Sequence, residues 1–163
     1  MTKIGLLSDT HGYIDDKLLE FFTPCDEIWH AGDIGSIDVA NRLKQFRTFR
    51  AVHGNIDGSE VRIEYKMHQR FMCEDVDVWI THIGGYPGNY SQYVWPNMLE
   101  NPPKLFISGH SHILKVMNDK KYKLLHINPG AYGKSGLHKV RTAIRFEIDK
   151  DNIQNLEILE IKR

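Results

Sequence analysis

The chain has 163 residues, 41% hydrophobic and 26% charged, a composition that excludes disorder as its main state. Its 21 basic and 21 acidic residues cancel and leave no strong nucleic-acid signature, and its apolar runs are too short to span a membrane. Length points to a single domain over 1–163, while two cysteines, Cys25 and Cys73, and a start without a signal peptide's apolar stretch make a reducing cytoplasm the expected setting.

Ile4–Leu7 is a short apolar run that stops at Ser8-Asp9-Thr10-His11-Gly12, the pattern of a buried strand feeding a loop. Asp15–Phe22 has helical spacing with acids in its first turn, and Pro24 ends it. A second strand, Asp26–His30, runs into Ala31-Gly32-Asp33. Ser36 caps a helix to about Phe46. A third strand, Thr48–His53, ends in Gly54-Asn55-Ile56-Asp57-Gly58. This βαβ repetition implies parallel strands with crossover helices, and open α/β sheets bind ligands at the carboxyl ends of such strands.

The second half reads differently. Val61–Tyr65, Gln69–Glu74 and Val76–Thr81 alternate and are rich in Val, Ile, Phe and Trp, the pattern of a meander. His82-Ile83-Gly84-Gly85 follows. Asn89–Glu100 reads as a helix that Pro96 kinks or restarts. Lys104–Ser108 is a strand ending in Gly109-His110-Ser111-His112, and two hairpins close the chain: Leu114–Met117 with Tyr122–Ile127, and Val140–Ile148 with Ile153–Ile161. The expected class is α/β, a four-layer α/β/β/α sandwich of two mixed sheets flanked by helices.

Nine histidines is the unusual count, because histidine is the commonest metal ligand. Five loops carry Asp9-x-His11, Gly32-Asp33, Gly54-Asn55, His82 and Gly109-His110-Ser111-His112. Asp9, Asp33, Asn55, His82 and His110 are separated by 24, 22, 27 and 28 residues in turn. Each interval is about one strand and its return, so each loop delivers polar side chains to the same rim. Two carboxylates, one carboxamide and four imidazoles suit Mn, Ni, Fe, Zn or Co better than Mg or Ca. Seven ligands exceed the needs of one ion. A bridging carboxylate lets two ions sit about 3.5–4 Å apart and clamp a phosphoryl group. The absence of thiolate argues against structural zinc.

These blocks, in this order, resemble the calcineurin-like metallophosphoesterase superfamily, whose signature is D-x-H, G-D, G-N-H-(D/E), an isolated H, and G-H-x-H. Short length, Asp9-Thr10-His11-Gly12 and Asn128-Pro129-Gly130 resemble its small single-domain bacterial YfcE-type phosphodiesterase branch. The resemblance implies two divalent transition-metal ions, manganese first among the candidates. Asp9, His11 and His112 hold one, Asn55, His82 and His110 hold the other, and Asp33 bridges them. A metal-bridging hydroxide then attacks the phosphorus of a small-molecule phosphate ester, with His11, Asp33 and Asn55 catalytic. Asn55, His53 and Tyr86 are the expected substrate contacts, Tyr86 lying in an aromatic, glycine-rich stretch, Gly84 to Tyr90. His30 is expected behind the ligands, Asn128-Pro129-Gly130 behind the His-x-His loop, His126 in a structural role, and His68 and His138 at the surface. Many members carry His after the Asn of the third block, where this chain has Ile56, so poor leaving groups are expected to react slowly. Two other functions fit the same resemblance. One is a protein-interaction scaffold like the small retromer subunit, which shares the fold and tends to have lost ligands. The other is a phosphomonoesterase or nucleotide pyrophosphatase at the same site. A homo-oligomer is compatible with all three.

Overall fold

The computed structural model describes residues 1–163. In chain order the elements are β1 (Thr2–Leu7), α1 (Asp16–Phe21), β2 (Glu27–His30), α2 (Ile37–Phe46), β3 (Thr48–Ala51), α3 (Ser59–Glu64), β4 (His68–Cys73) and β5 (Val76–Thr81). There follow β6 (Gly85–Tyr86), β7 (Asn89–Tyr90), α4 (Trp95–Glu100), β8 (Leu105–Ile107), β9 (Leu114–Asp119), β10 (Leu124–Pro129), β11 (Val140–Asp149) and β12 (Asn152–Lys162).

Two five-stranded sheets form, in the orders β12-β11-β1-β2-β3 and β4-β5-β8-β10-β9, and β6 pairs with β7 in a separate small hairpin. Both sheets are mixed. In the first, β1-β2-β3 are parallel and β11 and β12 antiparallel; in the second, β5-β8-β10 are parallel and β4 and β9 antiparallel. Ile4, Leu6 and Trp29 of the first sheet meet Val78, Ile80, Leu105, Ile107 and Ile127 of the second in one core. Behind the first sheet, α1, α2 and α3 contribute Leu18, Leu43 and Val61 to a second cluster. Behind the second, α4 contributes Met98 to a smaller one with Trp79, Phe106 and Leu124. This is the α/β/β/α sandwich expected from the sequence. No helix is long and apolar enough to cross a membrane.

Two expectations are corrected. Val61–Tyr65 is not a strand; Val61–Glu64 belong to α3 and Tyr65 caps its C-terminus. Val61 and Tyr65 are buried while Ile63 is 87% exposed, so the apolar contacts repeat every four residues and not every two. The Asn89–Glu100 helix is shorter than expected. Asn89–Tyr90 pairs as β7, and α4 begins at Trp95 with Pro96 in its first turn. Proline lacks the N–H that is unpaired there anyway, so it starts the helix it would have broken further in.

Register places the loops. Leu7 lies opposite His30 and His30 opposite Ala51, so the segments after β1, β2 and β3 leave the first sheet at one level. Ile80, Ile107 and Ile127 are likewise aligned, and the segments after β5, β8 and β10 leave the second sheet together.

Candidate metal centre

The loops after β1 and β2 stay paired beyond their strands. The N–H groups of Asp9, His11 and Gly12 donate to the carbonyls of Gly32, Asp33 and Ile34 at 2.9, 3.0 and 2.8 Å. Across the sandwich, His110 N–H donates to Asp9 Oδ2 at 3.1 Å and His82 Nδ1 donates to the Ala31 carbonyl at 2.7 Å. A carbonyl only accepts, so His82 carries its proton on Nδ1 and turns a bare Nε2 lone pair toward the loops. Close approach requires small residues: a Cβ at Gly54 would collide with Asp33 Oδ1, and one at Gly109 with Ser8 Oγ.

Two trios of ligand atoms result, Asp9/His11/His112 and Asp33/His82/His110, each trio's atoms lying within 4.8 Å of one another. Asp33 Oδ2 is 3.2 Å from His82 Nε2 and 3.5 Å from His11 Nε2, so it faces both trios. Asp9 Oδ1 is 3.1 Å from His112 Nε2 and 3.8 Å from both His11 Nε2 and His82 Nε2. Each carboxylate spends its other oxygen on the protein. Asp9 Oδ2 accepts from Ser8 Oγ at 2.6 Å, and Asp33 Oδ1 accepts from Ile56 N–H at 3.1 Å.

Three inward-facing atoms are unpaired. Asp9 Oδ1, His11 Nε2 and His82 Nε2 are buried and make no hydrogen bond. Buried polar atoms nearly always find a partner, and these three orphans, with Asp9 Oδ1 3.8 Å from each imidazole nitrogen, are donors of the types that divalent cations take and fall in both trios. Burial alone would raise the Asp9 carboxyl, but His11, His112, His82 and Ser8 outweigh it and hold it far below the usual range. Burial likewise pushes His82 down, and the Asp33 and Asp9 carboxylates reverse the sign.

Backbone conformation singles out the same residues. Of nine non-glycine residues with positive φ, five are Asp9, His11, Asp33, His110 and His112, with φ between 47° and 71°. Such left-handed backbone is unfavourable for side-chain-bearing residues and concentrates at functional sites.

The other expected residues fall around this centre. Asn55 and half-buried His53 line a cavity of about 180 Å³ with His82 and Arg62. Tyr86 is exposed and lines a different cavity, of about 280 Å³, on the His110 side, so His53 and Tyr86 do not share a pocket. His30 is fully buried behind the loops: its Nδ1 accepts from Gly32 N–H and its Nε2 meets Thr10 Oγ1 at 3.0 Å. Burial pushes it down to about 4. Asn128 Nδ2 donates to the Gly109 carbonyl and Ser111 Oγ, bracing the His-x-His loop as expected.

His138, expected at the surface, is half-buried and packs edge-on against His112 with ring centroids 5.0 Å apart. His68 is also half-buried and accepts from Trp79 Nε1 at 3.3 Å. Sequence reasoning missed three supports. Asp57 accepts from Ile34, Gly35 and Gly54 N–H groups. Arg62 clasps the carbonyls of Gly54, Asn55 and Asp57. Ser8 orients Asp9. Only Asp57 carried a signal, its place in the third loop's motif.

A profile of the calcineurin-like phosphoesterase superfamily domain matches residues 2–151. A probable metallophosphoesterase of Methanothermobacter thermautotrophicus is 30% identical over 135 residues, 78% of this chain and 76% of its own. Among solved structures, an archaeal phosphodiesterase superposes with a TM-score of 0.75 at 22% identity, covering 96% of this chain and 99% of its own. A variant of Vps29 from Entamoeba histolytica also reaches 0.75, at 12% identity over 98% and 99% of the two chains. A predicted phosphoesterase from Streptococcus pneumoniae reaches 0.71 at 22% identity, over 99% and 98%.

Proposed function

Because this chain belongs to the calcineurin-like phosphoesterase superfamily, we propose that it is a dinuclear metal-dependent phosphodiesterase acting on a small-molecule phosphate ester. The observation that carries this reading is the convergence of three buried, unpaired ligand atoms, Asp9 Oδ1, His11 Nε2 and His82 Nε2. Asp9, His11 and His112 would hold one cation and Asn55, His82 and His110 the second, with Asp33, which faces both trios, shared between them. Mixed carboxylate and imidazole donors favour manganese or a neighbouring transition metal. Such a pair supplies Lewis acidity and lowers the pKa of water toward about 7.

The protein's own contribution is orientation. Ser8 and the His110 N–H hold one oxygen of Asp9 so that the other faces inward. The Ile56 N–H does the same for Asp33, and the Ala31 carbonyl fixes the His82 tautomer. His53 donates through Nδ1 to the Tyr65 carbonyl, which fixes the orientation of its ring beside the cavity. Asn55 shares that cavity. Ile56 holds no proton for a departing alkoxide, so acidic leaving groups suit the site. Both cysteines are unpaired, in keeping with a cytoplasmic location.

The likeness to Vps29 favours one alternative, a catalytically weak scaffold. Metal analysis of the purified protein, followed by manganese-supplemented assays on bis(p-nitrophenyl) phosphate and p-nitrophenyl phosphate, separates the readings. We expect two metal equivalents per chain and faster hydrolysis of the diester. Asp33→Asn should lose both metals and with them the metal-dependent rate. Preference for the monoester would move the reading to a phosphomonoesterase. A sample holding two equivalents that cleaves neither ester would leave the scaffold.

A further inference from the structure

We infer that the cavity beside His110 receives one arm of the ester, and that Lys115 there selects an arm carrying a carboxylate. The placement of the phosphate on the metals rests on the function proposed above; recognition of the arm rests on the cavity itself.

The cavity, of about 280 Å³, opens beside His110, with Tyr86, Tyr90, Ile113 and Lys115 in its lining. That is near the lower end of small-molecule pockets, roughly 300–1,000 Å³, which suits one short arm and not a polymer. The strands beneath it tie Lys115 to the metal centre. Lys115 on β9 lies opposite Asn128 on β10, one antiparallel spacing of about 4.5–5.5 Å away. The Asn128 amide in turn donates to the Gly109 carbonyl and to Ser111 Oγ, the residues on either side of His110. An arm of a few bonds therefore spans from His110 to the lysine.

Charge singles this lysine out. No Asp or Glu lines the cavity, and Lys115 supplies its only permanent charge. Asp119, the one acid on β9, is already occupied by the Tyr90 hydroxyl and by the N–H groups of Lys121 and Tyr122. Lys3, Lys44 and Lys104 each reach a carboxylate, and Lys115 reaches none. It is half-buried, yet its ammonium is still open to solvent. A lysine that only covered apolar surface would carry its ammonium out into water. This one holds it 3.8 Å from the centroid of the Tyr86 ring, a wall of the same cavity. A ring face attracts a cation without neutralising it, so the charge is left for a ligand.

One ammonium with no other cation beside it matches one negative charge. A neutral arm leaves it unanswered, a cationic arm is repelled, and a second phosphate dianion exceeds it. A carboxylate fits.

4-Phosphonobutyrate and 4-phosphonobutyramide test this. Each carries a phosphonate and no ester to cleave, and they differ only in the charge of the distal group. Binding is measured by titration calorimetry, with and without manganese. We expect the carboxylate to bind about fivefold more tightly, the upper end for a partly screened ion pair, and the ratio to shrink at high salt. Lys115→Met, which keeps the length of the stem, should bring the two affinities together by weakening the carboxylate alone; an unchanged affinity for the carboxamide shows that the cavity is intact. Lys115→Arg should keep the preference. Equal affinities in the natural protein, a ratio that survives Lys115→Met, or no binding of either ligand overturns the inference. The proposed activity fails separately: manganese that adds no affinity for either phosphonate counts against the metal reading, while a carboxylate preference that persists there still supports Lys115.

Discussion

At the scale of single residues, Ile56 is the position where this chain departs from the superfamily pattern, and its two halves behave differently. Its backbone N–H holds Asp33 Oδ1 whatever the side chain, while the side chain is 47% exposed and chemically inert. The expected outcome is a steep dependence of rate on leaving-group pKa in the natural protein. In Ile56→His, rates on alkyl esters should rise by about 10²-fold at most, within the usual range of general acid catalysis. A series of aryl and alkyl methylphosphonate esters checks this, and a flat dependence in the natural protein would contradict it. The residues proposed as ligands stand out in the sequence because each follows an apolar strand run, where composition changes abruptly. His138 was not. Its contact with His112 depends on how the segment after β10 folds back over the β1 loop, where Gly133 N–H donates to the Asp9 carbonyl, and no local pattern records that return.

Elements come next. The third loop is held by its flanks: Asp57 ties it to the loop after β2, and Arg62, on α3, clasps its carbonyls. Asp57→Ala leaves three N–H donors without their carboxylate. Hydrogen bonds to charged groups contribute roughly 1.5–3 kcal/mol each, and water will reach some of the freed groups, so a net loss of about 3 kcal/mol is expected by urea denaturation of the metal-free protein. Metal affinity of the Asn55 side should fall as well, while Asp57→Asn, which keeps one acceptor oxygen, should recover part of both. A stability equal to that of the natural protein would contradict the clamp. Arg62 went unnoticed in the sequence because Val61-Arg62-Ile63-Glu64-Tyr65 alternates perfectly as a strand. Four-residue spacing fits the same letters, and only the packing of Val61 and Tyr65 against the first sheet distinguishes the two. The parallel strands β1, β2, β3, β5 and β8 were easier to read, since Asp or His with a nearby Gly punctuates their carboxyl ends.

At the scale of the whole molecule, burial of neutral imidazoles links folding to pH. His126 has its pKa pushed down to about 4 by burial in the folded state against about 6.5 unfolded. The unfolded chain therefore takes up this proton first as pH falls. The stability it contributes is complete above about pH 6.5 and is lost progressively toward pH 4. Across that window the loss is on the order of 3 kcal/mol. Because other imidazoles titrate too, the measurement is a difference. Urea unfolding of metal-free protein at pH 7.5 and at pH 5 should show a shallower pH dependence for His126→Phe than for the natural chain. Parallel slopes would mean that His126 gains its proton in both states alike.

The left-handed backbone at Asp9, His11, Asp33, His110 and His112 has an evolutionary corollary. Side-chain-bearing residues in that conformation cost roughly 1–2 kcal/mol each, and glycine or asparagine in their place would relieve it. Drift away from chemistry and drift toward a sturdier fold thus run in the same direction here. A lineage released from hydrolysis slides readily into a scaffold, because each lost ligand relaxes the chain.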